Sequence, residues 1–113
     1  MALGELERAV MDVLWSRSDT AWTVRDVSTN FPEHAYTTIM TVLSRLRDKG
    51  FVREEKVGRA NVYRQTASRE EYVAALMSDA LALANDRSVV LAHFAATMDD
   101  GDRAVLARLM RRK

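Results

Sequence analysis

Between Ala35 and Lys49, Ile39, Leu43 and Leu46 recur at i, i+4, i+7, the spacing that buries one stripe of an α-helix, with Val42 on its edge. Gly50 follows where a helix commonly stops by turning left-handed. Residues 51–57 and 60–66 come next, rich in Val, aromatic and charged side chains and split by Gly58-Arg59. That pattern predicts two antiparallel strands joined by a glycine turn. A helix that stops abruptly and passes straight into a hairpin leaves few folds open.

The flanking segments narrow the choice further. A first helix is predicted over Gly4 to Trp15 on the stripe Leu6, Val10, Val13 and Leu14, with Met11 and Asp12 off it and Trp15 packing at its end. Ala21-Trp22 reads as an isolated short strand or a connector. Thr23-Val24-Arg25-Asp26 opens a short second helix with a capping box, and Phe31-Pro32 ends it. Ser68-Arg69-Glu70-Glu71 is a full capping box for a helix running to about Asn85, whose Tyr72, Val73, Leu76, Met77, Leu81 and Leu83 spread over more than one face. Ser88 caps a second late helix, and Asp99-Asp100-Gly101-Asp102 separates it from a last one ending in Arg111-Arg112-Lys113. The expected class is therefore mainly α with a small β-hairpin. A winged helix-turn-helix occupies residues 1–66 and a three-helix region residues 67–113.

In a chain of 113 residues the last three helices are too short to build a core of their own. Leu76, Met77, Leu81, Val90, Leu91, Phe94, Leu106 and Leu109 would stay in water unless a second copy covered them, so a homodimer is expected. There is no cysteine, hence no disulfide or thiolate metal site. No apolar run is long enough to insert in a membrane, and Glu5 and Glu7 interrupt any signal-peptide pattern, so a cytoplasmic protein is expected. His34 and His93 lack helical ligand partners, and Asp99, Asp100 and Asp102 lack calcium-loop spacing, so neither metal nor cofactor is expected. No phosphate loop or catalytic triad is visible, and an enzyme ranks a distant third among functions.

Charge is segregated along the chain. Residues 1–33 carry three Arg against six acids, residues 34–66 seven basic residues against three acids, and residues 67–113 seven of each. The basic middle third coincides with the helix and hairpin. With Ile39, Leu43 and Leu46 turned inward, that helix presents Thr37, Thr38, Met40, Thr41, Ser44 and Arg45, a short-sided, weakly polar face. Such a face suits a major groove: hydroxyls reach phosphates or base edges, methyl groups touch thymine, and an arginine binds phosphate or guanine. Lys56, Arg59 and Arg64 cluster about the Gly58 turn, placed to sit on neighbouring phosphates, while Tyr63 and Trp22 read as core aromatics. Two classes stay open on these grounds, a sequence-specific repressor and a winged-helix module that binds protein.

The segments Leu6-Glu7-Arg8-Ala9-Val10-Met11-Asp12-Val13-Leu14-Trp15, Tyr36 through Leu46, Lys49-Gly50 and Gly58-Arg59-Ala60-Asn61-Val62-Tyr63 resemble the BlaI/MecI penicillinase-repressor family over almost the whole chain. The resemblance implies a homodimeric winged-helix repressor of β-lactam-resistance-type or related genes, on short palindromic operators with TACA/TGTA-like half-sites. It places DNA contacts at Thr37, Thr38, Met40, Thr41 and Arg45, with a wing contact near Arg59, and Tyr36 and Lys56 join them as candidate DNA-binding residues. It also implies a membrane sensor metalloprotease as a partner. The bond matching that protease's Asn-Phe target is His93-Phe94, with histidine in the asparagine's place. The cysteine-rich copper site of one branch of the family is absent.

Overall fold

The computed structural model describes residues 3–112. Its elements are α1 (Glu5–Ser16), β1 (Trp22–Thr23), α2 (Val24–Ser28), α3 (Tyr36–Asp48), β2 (Val52–Val57), β3 (Ala60–Gln65), α4 (Arg69–Leu81), α5 (Arg87–Thr97) and α6 (Asp100–Arg111). α3 ends as its sequence demands. Gly50 has φ +86°, the Phe51 N–H donates to the Leu46 carbonyl at 2.9 Å, and the Gly50 N–H donates to Arg47 at 3.0 Å. These paired bonds form a Schellman turn and send the chain directly into β2. At the hairpin tip Val57 pairs with Ala60 and Gly58 has φ +63°, while Arg59 keeps a negative φ. Positive φ at the first central residue alone is the pattern of a type II′ turn, and it projects Arg59 from the tip.

Trp22-Thr23 is not a free connector. It pairs antiparallel with β3, in the register Trp22 to Tyr63 and Thr23 to Val62, so the sheet has three strands in the order β1-β3-β2. Helix–turn–helix plus this sheet is the winged-helix arrangement. The core beneath it is Val10, Met11, Leu14, Val24, Val27, Phe31, Ile39, Val42, Leu43, Leu46, Val52 and Tyr63, with Trp22 packed partly buried against it. Met11 therefore belongs to the core rather than lying off the stripe. α1 packs against α3, β3 and α2 together, so its buried arc is wider than one stripe and Val13 and Leu6 fall to its margins.

Several boundaries move for local reasons. α2 has only five residues and stops before Phe31-Pro32, because Thr29 Oγ1 and Asn30 Nδ2 both donate to the Asp26 carbonyl. α4 carries its expected capping box, Ser68 N–H to Glu71 Oε1 and Glu71 N–H to Ser68 Oγ, both 3.0 Å, but ends at Leu81. Asp86, not Ser88, caps α5: its Oδ1 accepts from the Ser88 and Val89 N–H groups and from the Ser88 hydroxyl, the geometry of a residue one place before the helix. Asp99 caps α6 by accepting from the Asp102 N–H at 2.7 Å, so Asp100, Gly101 and Asp102 form the first turn rather than a separating loop.

The chain divides into two compact units, Met1–Leu76 and Met77–Lys113. Within the first, Tyr72 is the one buried described residue of α4. Its hydroxyl accepts from the Leu3 N–H at 3.0 Å, and its ring meets Trp15 at 5.6 Å and Phe51 at 5.5 Å. Trp15 donates to the Ala67 carbonyl at 2.9 Å and lies under the Arg69 guanidinium. Within the second unit none of the described residues is buried. Among the described residues no helix is long and apolar enough to cross a membrane.

Candidate nucleic-acid interface

The inner side of α3 is sealed, with Ile39, Leu43 and Leu46 fully enclosed and Val42 nearly so. The opposite side is open. Thr37, Thr41 and Arg45 are exposed, as are Tyr36 at 48% and Met40 at 42%, whereas Thr38 and Ser44 are half-buried. No side chain caps the helix at Ala35 and no acid lies in its first turn. The positive end of its dipole is thus left uncompensated, a favourable place for an anion.

Intramolecular acids sort the basic residues of the middle third into two groups. Arg47 is held by Glu54 at 2.6 Å and Asp48 at 3.3 Å, Lys49 by Glu7 at 2.8 Å, and Arg64 by Glu55 at 2.6 Å, with Arg53 at 3.8 Å from the same Glu55. Arg45, Lys56 and Arg59 form no ion pair among the described residues, and these are the three predicted to touch DNA. Arg64 leaves the expected cluster at the turn, because Arg64 and Glu55 lie diagonally across adjacent strands, two register positions apart on one face. The positive face is narrower than the charge count of the segment implies, and it is concentrated on α3 and the wing tip.

The paired residues also fix geometry. Glu54 accepts from Arg47 on α3 and, through Oε2, from the Tyr63 hydroxyl at 3.0 Å, tying the helix to the wing. Arg47 first, and then Tyr63, hold the Glu54 carboxyl below its ordinary pKa, while burial and then the Glu54 bond push the Tyr63 phenol up to about 12. On the other flank Glu7 of α1 accepts from Lys49 Nζ and from the Gly4 N–H, both at 2.8 Å. This pair escaped the sequence reading, since 42 residues separate its members and no periodic signal links them. Glu7 also borders a cleft of about 660 Å³ between α1 and α3, shared with Thr38, Thr41, Arg45 and Lys49. A second cleft of about 470 Å³, between α3 and the wing, is lined among others by Tyr36, Met40 and Arg59, and by Arg25 and Asn61, neither of which the sequence marks as a DNA contact. The two clefts flank the open face. His34 stays apart from it, its ring edge-on to Phe31.

The sequence profile of the penicillinase repressor family matches residues 3–112. The chain is 42% identical to the transcriptional regulator BlaI of Mycobacterium tuberculosis strain H37Rv, over 96% of this chain and 82% of the relative, and equally so to that of strain CDC 1551. The solved DNA-binding domain of the repressor BlaI aligns with a TM-score of 0.53 at 29% identity, over 62% of this chain and 87% of that one. A MarR family protein from Bacillus stearothermophilus shares the fold over 99% of this chain and 73% of its own, with a TM-score of 0.54 at 17% identity.

The Glu7–Lys49 pair carries a pH signature. Lys49 chiefly, then the Gly4 N–H, lowers the Glu7 carboxyl below its ordinary 4.5, so its stabilisation is present above that value and lost as pH falls through the lower folded value. Glu7→Gln should cost about 1 kcal/mol at pH 7, and the difference from wild type should vanish in strong acid. Thermal unfolding across pH checks this; a difference independent of pH contradicts it.

Proposed function

This chain belongs to the penicillinase repressor family, and from that premise we propose that it is a sequence-specific DNA-binding transcriptional repressor in which α3 reads the major groove and the wing anchors the backbone. The observation that carries the proposal is charge placement. The threonine face of α3 is bracketed by Arg45, Lys56 and Arg59, which form no ion pair among the described residues, while the other basic residues of the segment lie within 3.8 Å of an acid. Tyr36, Thr37, Thr38, Met40, Thr41 and Arg45 supply the reading edge, and Lys56 and Arg59 meet phosphates. Half-sites of TACA/TGTA type, which the resemblance implies, offer thymine methyl groups to Met40 and the threonine methyls.

In this reading the repressor is a homodimer, and what supports that is the apolar surface of the later helices. Leu76 and Leu81 are half-buried, and Met77, Val90, Leu91, Phe94, Leu106 and Leu109 are 40–53% exposed. Complete burial of an exposed side chain of this kind is worth about 1.5–3 kcal/mol and roughly half of that is still open to each, so covering several offsets part of the cost of association. Two-fold symmetry would match a palindromic operator. A membrane sensor metalloprotease acting at His93-Phe94 would cut inside α5, within this surface. Such a cut would separate the dimer and release DNA.

If a dimer neutralises roughly 6–10 phosphates, affinity should fall by about 10³–10⁵ between about 50 and 200 mM salt. Arg59→Ala should weaken binding to all sequences alike, whereas Thr41→Ala should change base preference at a cost of about 1–3 kcal/mol. Equal losses on every duplex for both variants would refute the division of roles. Sedimentation at micromolar concentration should show a wild-type dimer and monomeric Leu91→Asp or Phe94→Asp variants with weakened DNA binding. A monomeric wild-type chain would exclude the dimer.

A further inference from the structure

The cleft between α3 and the wing draws its lining from three separate parts of the fold: Arg25 of α2, Tyr36 and Met40 of α3, and Arg59 and Asn61 of the hairpin. It holds two guanidinium groups and no carboxylate. Among the described residues the Arg25 side chain has neither an ion pair nor a hydrogen bond. Asp26, its neighbour, is turned back onto the Thr23 N–H at 3.2 Å to cap α2. Both arginines are exposed and both border the same cleft, so an anion seated there meets positive charge from two elements. This unit supplies acids to Arg47, Lys49, Arg53, Arg64 and Arg69. The arginine pair is thus left uncompensated beside a series of neutralised cations.

We propose that this cleft receives one backbone phosphate of bound DNA, held by Arg25 and Arg59 together. The assignment rests on the DNA-binding reading above and adds a contact from α2 that neither the helix motif nor the wing motif contains. A guanidinium presents a planar fork of donors that fits two phosphate oxygens, and two forks from different elements can close on the same group. Asn61 adds an amide at the same wall. Because α2 and the wing flank α3, a phosphate fixed there sets how α3 lies in the groove. Arg25 is in this sense a positioning residue. Its effect falls on every sequence alike, since phosphates carry no base information.

The test uses the full chain and two duplexes, one of random sequence and one enriched by the wild-type chain from a randomised pool. Arg25→Ala should weaken binding to both by the same factor, about tenfold. Arg25→Lys, which keeps the charge and loses the fork, should recover part of that affinity. The logarithmic salt slope counts neutralised phosphates, so in a two-fold dimer Arg25→Ala with Arg59→Ala should lower it by about two, one for each protomer, against about four if each arginine held its own phosphate. Arg25 is exposed and unpaired, so the thermal midpoint of Arg25→Ala should match wild type and confirm that the variant folds. Wild-type binding with undiminished Arg25→Ala binding, or a slope loss of about four per dimer in the double variant, overturns the shared-phosphate assignment alone. Absence of wild-type binding to either duplex overturns the DNA reading and the assignment with it.

Discussion

Burial of Ile39, Leu43 and Leu46 beneath α1, α2 and β2 is the constraint on which the remainder of the winged unit depends. Truncating any one of these enclosed side chains to alanine would cost about 2–5 kcal/mol, a large share of what a domain this small can hold in reserve. The same burial does more than stabilise. It fixes the rotation of α3 about its own axis, and so determines that Thr37, Thr41 and Arg45 face out together. The Schellman turn at Gly50 then fixes where the chain leaves the helix, and the II′ turn at Gly58 carries Arg59 to the wing tip. Core packing and interface geometry are two faces of one helix.

Around that helix, acids act as selectors of charge. Exposed ion pairs contribute little to stability in water. Glu54, Glu7 and Glu55 matter here for the charge they offset on the outer surface, pairing with Arg47, Lys49 and Arg64 and, at longer range, Arg53. Glu54 has a second effect, since Arg47 and Tyr63 both donate to it and so link α3 to β3. A net positive segment is thereby reduced to a few uncompensated cations at defined places. That gives orientation as well as attraction.

Much of this was legible from local pattern. The α3 stripe, the Gly50 stop, the Gly58 turn and the Ser68 capping box each depend on residues a few positions apart, and each appears as expected. What the pattern could not show depends on distance or on competition between neighbours. Met11 enters the core because three elements surround α1. Asp86 takes the cap from Ser88 because it stands one residue before the helix and accepts two N–H groups at once. Among site residues, Arg45, Lys56 and Arg59 were visible as charges, but their freedom from ion pairs was not. Neither was the pairing of Lys49 with Glu7, nor the meeting of Arg25 with Arg59 in one cleft. Single-sequence charge counts overstate an interface whenever a fold supplies internal counter-ions.

The central claim is that the open side of α3 and the wing tip form the surface that meets DNA. Backbone amide shifts of the full chain, followed as a duplex enriched by the protein itself is added, test it most directly. The account predicts that perturbations concentrate at Tyr36, Thr37, Met40, Thr41 and Arg45 and at Lys56 through Asn61, with Val10, Leu14 and the outer residues of α1 little moved. Perturbations confined to residues 77–112, or spread evenly over the chain with none concentrated on α3, would contradict it.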